Sequence, residues 1–126
     1  MRVYATREFS RLSTKFRVDD DRLCDAVARA GRGLIDADLR AGLIKQRIAR
    51  PGQGRSGGWR ALAAFRSSHR CVFLYVFAKN ERDNIEDDEL AHWHKVAKAY
   101  LEMPGDRIED QIEHDELREV MCDEQD

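Results

Sequence analysis

The chain has 126 residues, of which 42% are hydrophobic and 37% charged, and its formal net charge is -2. That length and apolar content fit a single folded domain and exclude a disordered chain. No apolar run is long enough to span a bilayer, and the opening MRVYATREFS lacks the apolar stretch of a signal peptide. We therefore expect a cytoplasmic protein without a membrane segment.

The N-terminal part predicts a strand followed by two helices. Residues 2–5 have the composition of a short strand, and the apolar residues that follow recur at helical spacing from a start at Thr6 or Ser10. A run of three aspartates then precedes a second amphipathic helix, which Gly31 or Gly33 ends.

The middle of the chain changes to the period of a β-strand. Ile44, Gln46 and Ile48 alternate with Lys45, Arg47 and Ala49, which predicts a half-buried strand with one basic face. A loop over 51–58 leads to a second strand over 59–65, and the apolar run 71–78 reads as a central strand buried on both faces. The short links between these strands indicate an antiparallel meander.

A third helix begins at the acids 87–89 and ends at Pro104, and residues 106–126 are acidic and weakly amphipathic, with the pattern of a short helix and a partly disordered tail. We expect an α+β fold with the helices packed on one face of a small twisted sheet. Residues 1–103 form the predicted domain, and residues 104–126 are an acidic extension that belongs to it or is partly disordered.

The charge is unevenly distributed along the chain. Residues 1–82 contain 18 basic and 8 acidic residues, whereas residues 83–126 contain 4 basic and 16 acidic residues. This asymmetry suggests a basic surface for a polyanion and an acidic C-terminal part.

The cysteines and histidines offer no metal site and no cofactor. Cys24, Cys71 and Cys122 are far apart and form no CxxC pair, so we expect reduced thiols. His92 and His94 are two residues apart, a spacing that places them on different faces of a helix.

The segment KQRIARPGQGRSGGWR, residues 45–60, contains four arginines, one lysine, four glycines and no acid. It includes a GxGxxG pattern, but the dinucleotide fingerprint needs a helix after the glycines, and here a strand is predicted. One interpretation is a flexible hairpin connection whose glycines supply positive φ angles. The excess of arginine favours the other interpretation, a site for phosphate groups.

Cleavage of RNA without a metal needs a base for the 2′-hydroxyl, an acid for the leaving 5′-oxygen and cations for the charged phosphorane. Arginine stays charged and is a poor base. Neighbouring positive charges favour the neutral form of a lysine, so Lys45 is the candidate base, with Arg60 as the electrostatic clamp.

These residues are similar to a known family. The pattern K-x-R-I-A-R-P-G-x-G-R-S-G-G-W-R, with F-A-K-N-E-R-D-N-I and D-E-L further on, resembles the RelE/HigB-like toxins of bacterial type II toxin–antitoxin systems. It is most similar to members that read K-x-R-I-A-R-P-G-x-G-K-S-G-G-Y-R, and the resemblance covers nearly the whole chain. It implies a RelE-like fold, a small twisted antiparallel sheet with two N-terminal helices and a C-terminal helix.

The resemblance also implies catalytic positions. The strand lysine and the basic residue two positions later match Lys45 and Arg47, and the arginine that follows the glycine pair and the aromatic residue matches Arg60. Asn80 aligns with a later arginine of the family, so we take Arg82 as its substitute.

The remaining positions implied by the resemblance are RNA-binding residues: Arg50, Arg55, Ser56, Trp59 and Lys79. Trp59 stands where the subfamily has Tyr, and its ring either stacks on a base or belongs to the core. The family's catalytic tyrosine falls near residues 85–86, where this sequence has Ile and Glu. Tyr75 and Phe77 on the central strand are interpreted as core, with an active-site Tyr75 as the alternative.

The implied function is that of an mRNA interferase that enters the ribosome and cleaves mRNA by 2′-hydroxyl attack. The alternatives are a ParE-like toxin that binds DNA gyrase without catalysis and a degenerate toxin that acts only as a co-repressor. The implied partners are mRNA, the ribosome and a cognate antitoxin with a helix-turn-helix fold. We also expect the acidic extension to fold onto the basic face and weaken RNA binding.

Overall fold

The computed structural model describes residues 1–50, 54–78 and 85–122, which form a mixed six-stranded sheet with four helices. The elements in chain order are β1 (Arg2–Thr6), α1 (Arg7–Phe16), α2 (Asp20–Gly31), β2 (Ala37–Asp38), β3 (Leu43–Arg50), β4 (Gly54–Arg66), β5 (Arg70–Ala78), α3 (Asp87–Glu102), α4 (Gly105–Glu113) and β6 (Leu117–Glu119). The predicted α+β class is confirmed.

The strand order in the sheet is β2-β3-β4-β5-β1-β6. Strands β3, β4 and β5 form the predicted antiparallel meander. Strand β1 is inserted between β5 and β6, parallel to β5 and antiparallel to β6. The sheet is therefore mixed rather than antiparallel throughout, because β1 runs parallel to β5 whereas the other pairs of neighbouring strands are antiparallel.

The helices cover both faces of the sheet. On the first face, α1 and α2 pack over a core that includes Phe9, Leu23, Ala26, Ile48 and Trp59. On the second face, α3 and α4 pack over Tyr4, Leu43, Leu62, Leu101 and Ile108. The prediction that all helices lie on one face is wrong, because the apolar run of β5 points to both sides and each side needs a cover.

Side-chain caps fix the starts of the two N-terminal helices. The Thr6 hydroxyl accepts a hydrogen bond of 3.1 Å from the backbone N–H of Phe9, so the first helix starts after Thr6 rather than at Ser10. The Asp19 carboxylate accepts a bond of 3.1 Å from the N–H of Arg22. Both caps satisfy backbone donors that the first turn of a helix leaves without partners.

The acidic segment after α3 packs on the sheet edge that is remote from β3. Helix α4 buries Ile108 in the second-face core, and β6 pairs with β1. Two ion pairs connect β6 to neighbouring elements: Arg2 contacts Glu119 at 2.7 Å, and Arg118 contacts Asp20 at 2.9 Å. The hypothesis that this segment covers the basic face is wrong for residues 105–122, and residues 123–126 lie outside the described ranges.

Cys24 and Cys122 form a disulfide, with their Cα atoms 5.5 Å apart. The prediction of three reduced thiols is therefore wrong for this pair. The sequence separation of 98 between the two cysteines concealed the bond, because only the pairing of β6 with β1 brings residue 122 to α2. Cys71 is buried, and burial raises the pKa of its thiol to about 12, so it stays protonated and unreactive.

Reduction of the disulfide should destabilise the protein. The bond closes a loop of nearly the whole chain, and loops of that size restrict the unfolded state most, so we expect the free energy of unfolding to fall by about 2–5 kcal/mol. Urea unfolding with and without dithiothreitol measures the change. The control is a Cys24→Ser/Cys122→Ser variant, whose midpoint should not respond to reductant. Three titratable thiols in the unfolded, untreated protein would contradict the bond.

Candidate RNA-binding site

The register of β3 and β4 brings three of the predicted catalytic residues together. Arg47 lies directly opposite Arg60, and Lys45 lies opposite Leu62. Directly opposed side chains share one face of a sheet, and side chains two residues apart on a strand do so as well. Lys45, Arg47 and Arg60 are therefore grouped on the second face, and we call these three residues the cationic face.

The members of the cationic face differ in exposure. The Arg47 side chain is exposed, Lys45 is half-buried, and Arg60 is only 7% exposed. The Arg60 guanidinium donates a hydrogen bond of 3.3 Å from Nη1 to the carbonyl of Trp59. The charge of Arg60 is thus held in place at the base of the cationic face, whereas Lys45 and Arg47 are more accessible to solvent.

Trp59 does not belong to the cationic face. It lies on the first face, is 5% exposed and packs against Phe16 of α1, with ring centroids 6.3 Å apart. The core interpretation of Trp59 is therefore the one that the structure supports. A ring in this position is not accessible to a base, because α1 covers it.

Another group of aromatic rings lies beside the cationic face, and we call it the aromatic row: Tyr75, Trp93 and His92. Tyr75 stacks on Trp93 with ring centroids 5.4 Å apart and planes inclined by 21°, and His92 meets the Trp93 ring edge-on at 4.9 Å. Tyr75 lies opposite Leu62, whose other neighbour is Lys45, so the row and the cations share a face. Sequence reasoning missed the row because residues 75 and 93 come from different elements.

Comparison with known families agrees with this arrangement. The model of one family, described as the RelE toxin of the RelE/RelB toxin–antitoxin system, matches residues 1–120. The chain belongs to the RelE toxin family. A search of the curated proteins finds no match. Membership makes the protein the toxin component of a toxin–antitoxin system and implies an antitoxin partner, and it agrees with the α+β fold seen here.

Several predicted residues of this RelE toxin cannot be placed in the site by their side chains. Arg50 lies on β3, and Arg55 and Ser56 lie on β4, at the ends of the two strands that meet at residues 51–53, but their side chains lie outside the described part. Lys79 and Arg82 also lie outside the described residues. The GxGxxG pattern opens a strand at Gly54, not a helix, so the dinucleotide interpretation is excluded as expected.

Gln46 fixes the strand that carries Lys45 and Arg47. Its side chain points to the opposite face and is 2% exposed. The amide nitrogen donates to the carbonyls of Ala26, at 3.0 Å, and Leu34, at 3.3 Å, and the amide oxygen accepts from the N–H of Asp36 at 2.7 Å. These three bonds tie β3 to α2 and to the segment that follows it.

Asp36, the residue that precedes β2, supports β3 through its side chain. Its carboxylate accepts a hydrogen bond of 2.6 Å from the backbone N–H of Arg47 and lies 3.4 Å from the guanidinium of Arg29. Arg29 also donates to the carbonyl of Arg47 at 2.5 Å. The two side chains thereby satisfy the backbone groups of Arg47 that a longer neighbouring strand would have paired.

Helix α3, which carries His92 and Trp93 of the aromatic row, is fixed to the rest of the fold at several points. The Arg70 guanidinium donates to the carbonyls of Tyr100, at 2.8 Å, and Met103, at 2.7 Å, which are free acceptors at the C-terminus of the helix. His94 Nε2 lies 2.7 Å from the carbonyl of Leu39. Gly42, with a φ of 84°, leaves room for Leu101, because a Cβ there would lie 2.5 Å from the leucine's Cδ1.

Within the described residues, no group of three His, Cys, Asp or Glu side chains could hold a metal ion. In the same part of the chain, no helix is long and apolar enough to cross a membrane.

Substitution of Gln46 should destabilise the fold more than its size suggests. Gln46→Leu keeps the volume but leaves buried backbone groups of Ala26, Leu34 and Asp36 without their partner, so we expect a loss of about 2–4 kcal/mol in the free energy of unfolding. Chemical denaturation measures it. Gln111→Leu on α4 is the matched control and should change stability by less than about 0.5 kcal/mol. An equal effect at both positions would show that the Gln46 bonds contribute nothing particular.

Proposed function

We propose that this RelE toxin is an mRNA interferase that acts in the cytoplasm on ribosome-bound mRNA, by attack of a ribose 2′-hydroxyl and without a metal. The observation that carries the proposal is the direct opposition of Arg47 and Arg60, with Lys45 on the same face. Like charges opposed across two strands destabilise a sheet. Such an arrangement is typical of a site for an anion, and a phosphodiester is the anion that RelE toxins are expected to meet.

The proposed mechanism distributes three roles over the cationic face. Lys45, half-buried on β3, accepts the proton of the 2′-hydroxyl. The 2′-oxygen attacks the phosphorus to form a 2′,3′-cyclic phosphate, the bond to the 5′-oxygen breaks, and the 5′-oxygen takes a proton from solvent water. Arg60, held against the Trp59 carbonyl, stabilises the extra negative charge of the phosphorane, because a positioned charge needs no reorganisation during the reaction. The exposed Arg47 binds a non-bridging phosphate oxygen.

The remaining predicted residues complete the proposal. Arg82 is the fourth proposed catalytic residue, and the other proposed RNA contacts are Arg50, Arg55, Ser56 and Lys79. We further propose that the protein belongs to the HigB-like subfamily of the K-x-R-I-A-R-P-G motif. Its antitoxin would then be a helix-turn-helix protein that covers the cationic face with an acidic or apolar segment.

One observation favours a second candidate function, the ParE-like binding of DNA gyrase. The family's tyrosine position has no tyrosine, and Ile85 packs against the second-face core instead. A site without that hydroxyl fits a toxin that binds its target without cutting it. The position of the cations on strands, rather than on a helix, favours the interferase.

Expression of the toxin with single substitutions in a bacterium tests the proposal. We expect new mRNA 5′ ends in phase with the reading frame, and a loss of cleavage of about 100-fold or more in both Arg60→Lys and Lys45→Ala. Lys45→Ala removes the proton-accepting group, and Arg60→Lys keeps the charge but loses the planar guanidinium that positions it. Arg66→Ala, an exposed arginine at the other end of β4, is the matched control and should retain full cleavage.

The outcomes separate the candidate functions. Growth arrest with intact mRNA would support the gyrase-binding toxin. No arrest with any variant, although the protein is folded and present, would support a degenerate toxin that acts as a co-repressor. Cleavage that survives in Arg60→Lys and Lys45→Ala would remove the cationic face from the mechanism.

Salt dependence tests the phosphate contacts separately from cleavage. For single-stranded RNA, each contact adds about 0.7 to the slope of log affinity against log salt concentration. Arg47→Ala should therefore lower that slope by about 0.7 in binding titrations with a non-cleavable oligonucleotide. Arg107→Ala on α4 is the control and should leave the slope unchanged. A change in affinity at constant slope would speak against a phosphate contact by Arg47.

A further inference from the structure

The side chains of the aromatic row are more exposed to solvent than the packing of α3 against the sheet requires. Tyr75 and Trp93 are half-buried and His92 is exposed, whereas Phe77, next to Tyr75, is only 2% exposed. Ala97 and Leu101, further along α3, are fully covered and already anchor the helix to the second-face core. The part of α3 that carries Trp93 thus presents ring surface to a cavity that Arg7, Glu8 and Glu116 also line, and Tyr75 lies between this surface and the cationic face.

We infer that the aromatic row binds a nucleobase of single-stranded RNA while the adjoining phosphates lie on the cationic face. Every base has a π-face, and aromatic side chains that flank a basic groove are the usual platform for single-stranded nucleic acid. The inference rests on the proposed function for its ligand class, and it adds a binding site that the catalytic residues do not include.

The distance between the two groups suits such a ligand. Lys45, Leu62 and Tyr75 lie in one cross-strand line over β3, β4 and β5. Adjacent strands are about 4.8 Å apart, so the backbones of residues 45 and 75 are separated by about 10 Å. A short extended segment of RNA spans this distance, with a phosphate at Lys45 and a base at Tyr75.

The charges around α3 set the direction of the strand. The helix starts with the exposed carboxylates of Asp87 and Asp88, about 8–9 Å along the axis from Trp93. These carboxylates repel phosphates and do not repel a neutral base. The bases are therefore directed towards α3 and the phosphates towards β3 and β4.

The support of the row is rigid enough for stacking. Tyr75 is paired with Leu62 of β4, and α3 is fixed by Arg70 at its C-terminus and by the contact of His94 with Leu39. Rings that are already stacked lose little conformational freedom when a base binds, so most of the stacking energy is retained as affinity.

An abasic scan tests the inference. The probe is a 2′-O-methyl pentanucleotide, which lacks the attacking hydroxyl, together with five versions that each lack one base. In the wild-type protein, removal of the base at one position should weaken binding by about 5- to 100-fold, the range measured for base–aromatic stacking. In Trp93→Leu, removal of the same base should change affinity by less than about twofold.

Further variants keep the result independent of folding. His92→Ala removes an exposed ring and should reduce the base dependence without loss of stability, and Tyr75→Leu should reduce it further. Phe16→Leu is the matched control, because it removes a half-buried ring from the opposite face, and it should preserve the base dependence.

The possible results distinguish this inference from the proposed function. If wild-type binding depends on salt but on no base, the row binds no base and packs only the helix or a protein partner, while the interferase proposal stands. If no pentanucleotide binds, the inference that the row binds a base of RNA fails, whereas the interferase proposal is decided by the mRNA 5′ ends in cells. If one base contributes and Trp93→Leu removes that contribution while cellular mRNA stays intact, the aromatic row stands and the nuclease does not.

Discussion

The pairing of β3 with β4 is the constraint on which the site depends. It places Arg47 against Arg60 on one face and Ile48 against Trp59 on the other. The first pair is unfavourable in the absence of an anion, and the second buries a large apolar surface under α1 and α2. The stability of the apolar pair thus holds two guanidinium groups in an arrangement that they would not adopt by themselves.

The order of the strands shows where the basic and acidic parts of the chain lie in the fold. The acids of the C-terminal part are not a solvated tail: Glu116 and Glu119 pair with Arg7 and Arg2, at the edge formed by β6. Exposed pairs of this kind contribute little to stability. Their effect is to neutralise Arg2 and Arg7 at the side of the sheet that is remote from β3.

Much of the local structure could be predicted from the sequence. The helix over Phe9 to Phe16, the strand over residues 44–48 and the apolar strand over 71–78 follow from periodicity, which is a property of neighbouring residues. The grouping of Lys45 with Arg47 follows from a spacing of two on a strand. Arg60 is predicted as the electrostatic clamp from the same basic segment, and the family resemblance points to the same residue.

Features that depend on distant parts of the chain could not be found in this way. Leu117 to Glu119 are too few residues to show a strand period, and their pairing with β1 is set by the sheet. The Cys24–Cys122 bond depends on that pairing. The position of Trp59 in the core, and of Trp93 beside the cations, required knowledge of which helix covers which face. The residue type is the same at both positions, and the two rings differ only in how far other elements of the fold bury them.

The insertion of β1 between β5 and β6 has a consequence for synthesis. Arg2 pairs with Arg70, and Tyr4 pairs with Glu119, so β1 reaches its final place only after the chain has emerged from the ribosome to residue 119. Before that point β1 has only β5 as a neighbour, its other edge is unpaired, and Cys24 has no partner. Under the proposed function, a toxin that acts on translation therefore cannot complete its own fold until the strand at residues 117–119 has been translated.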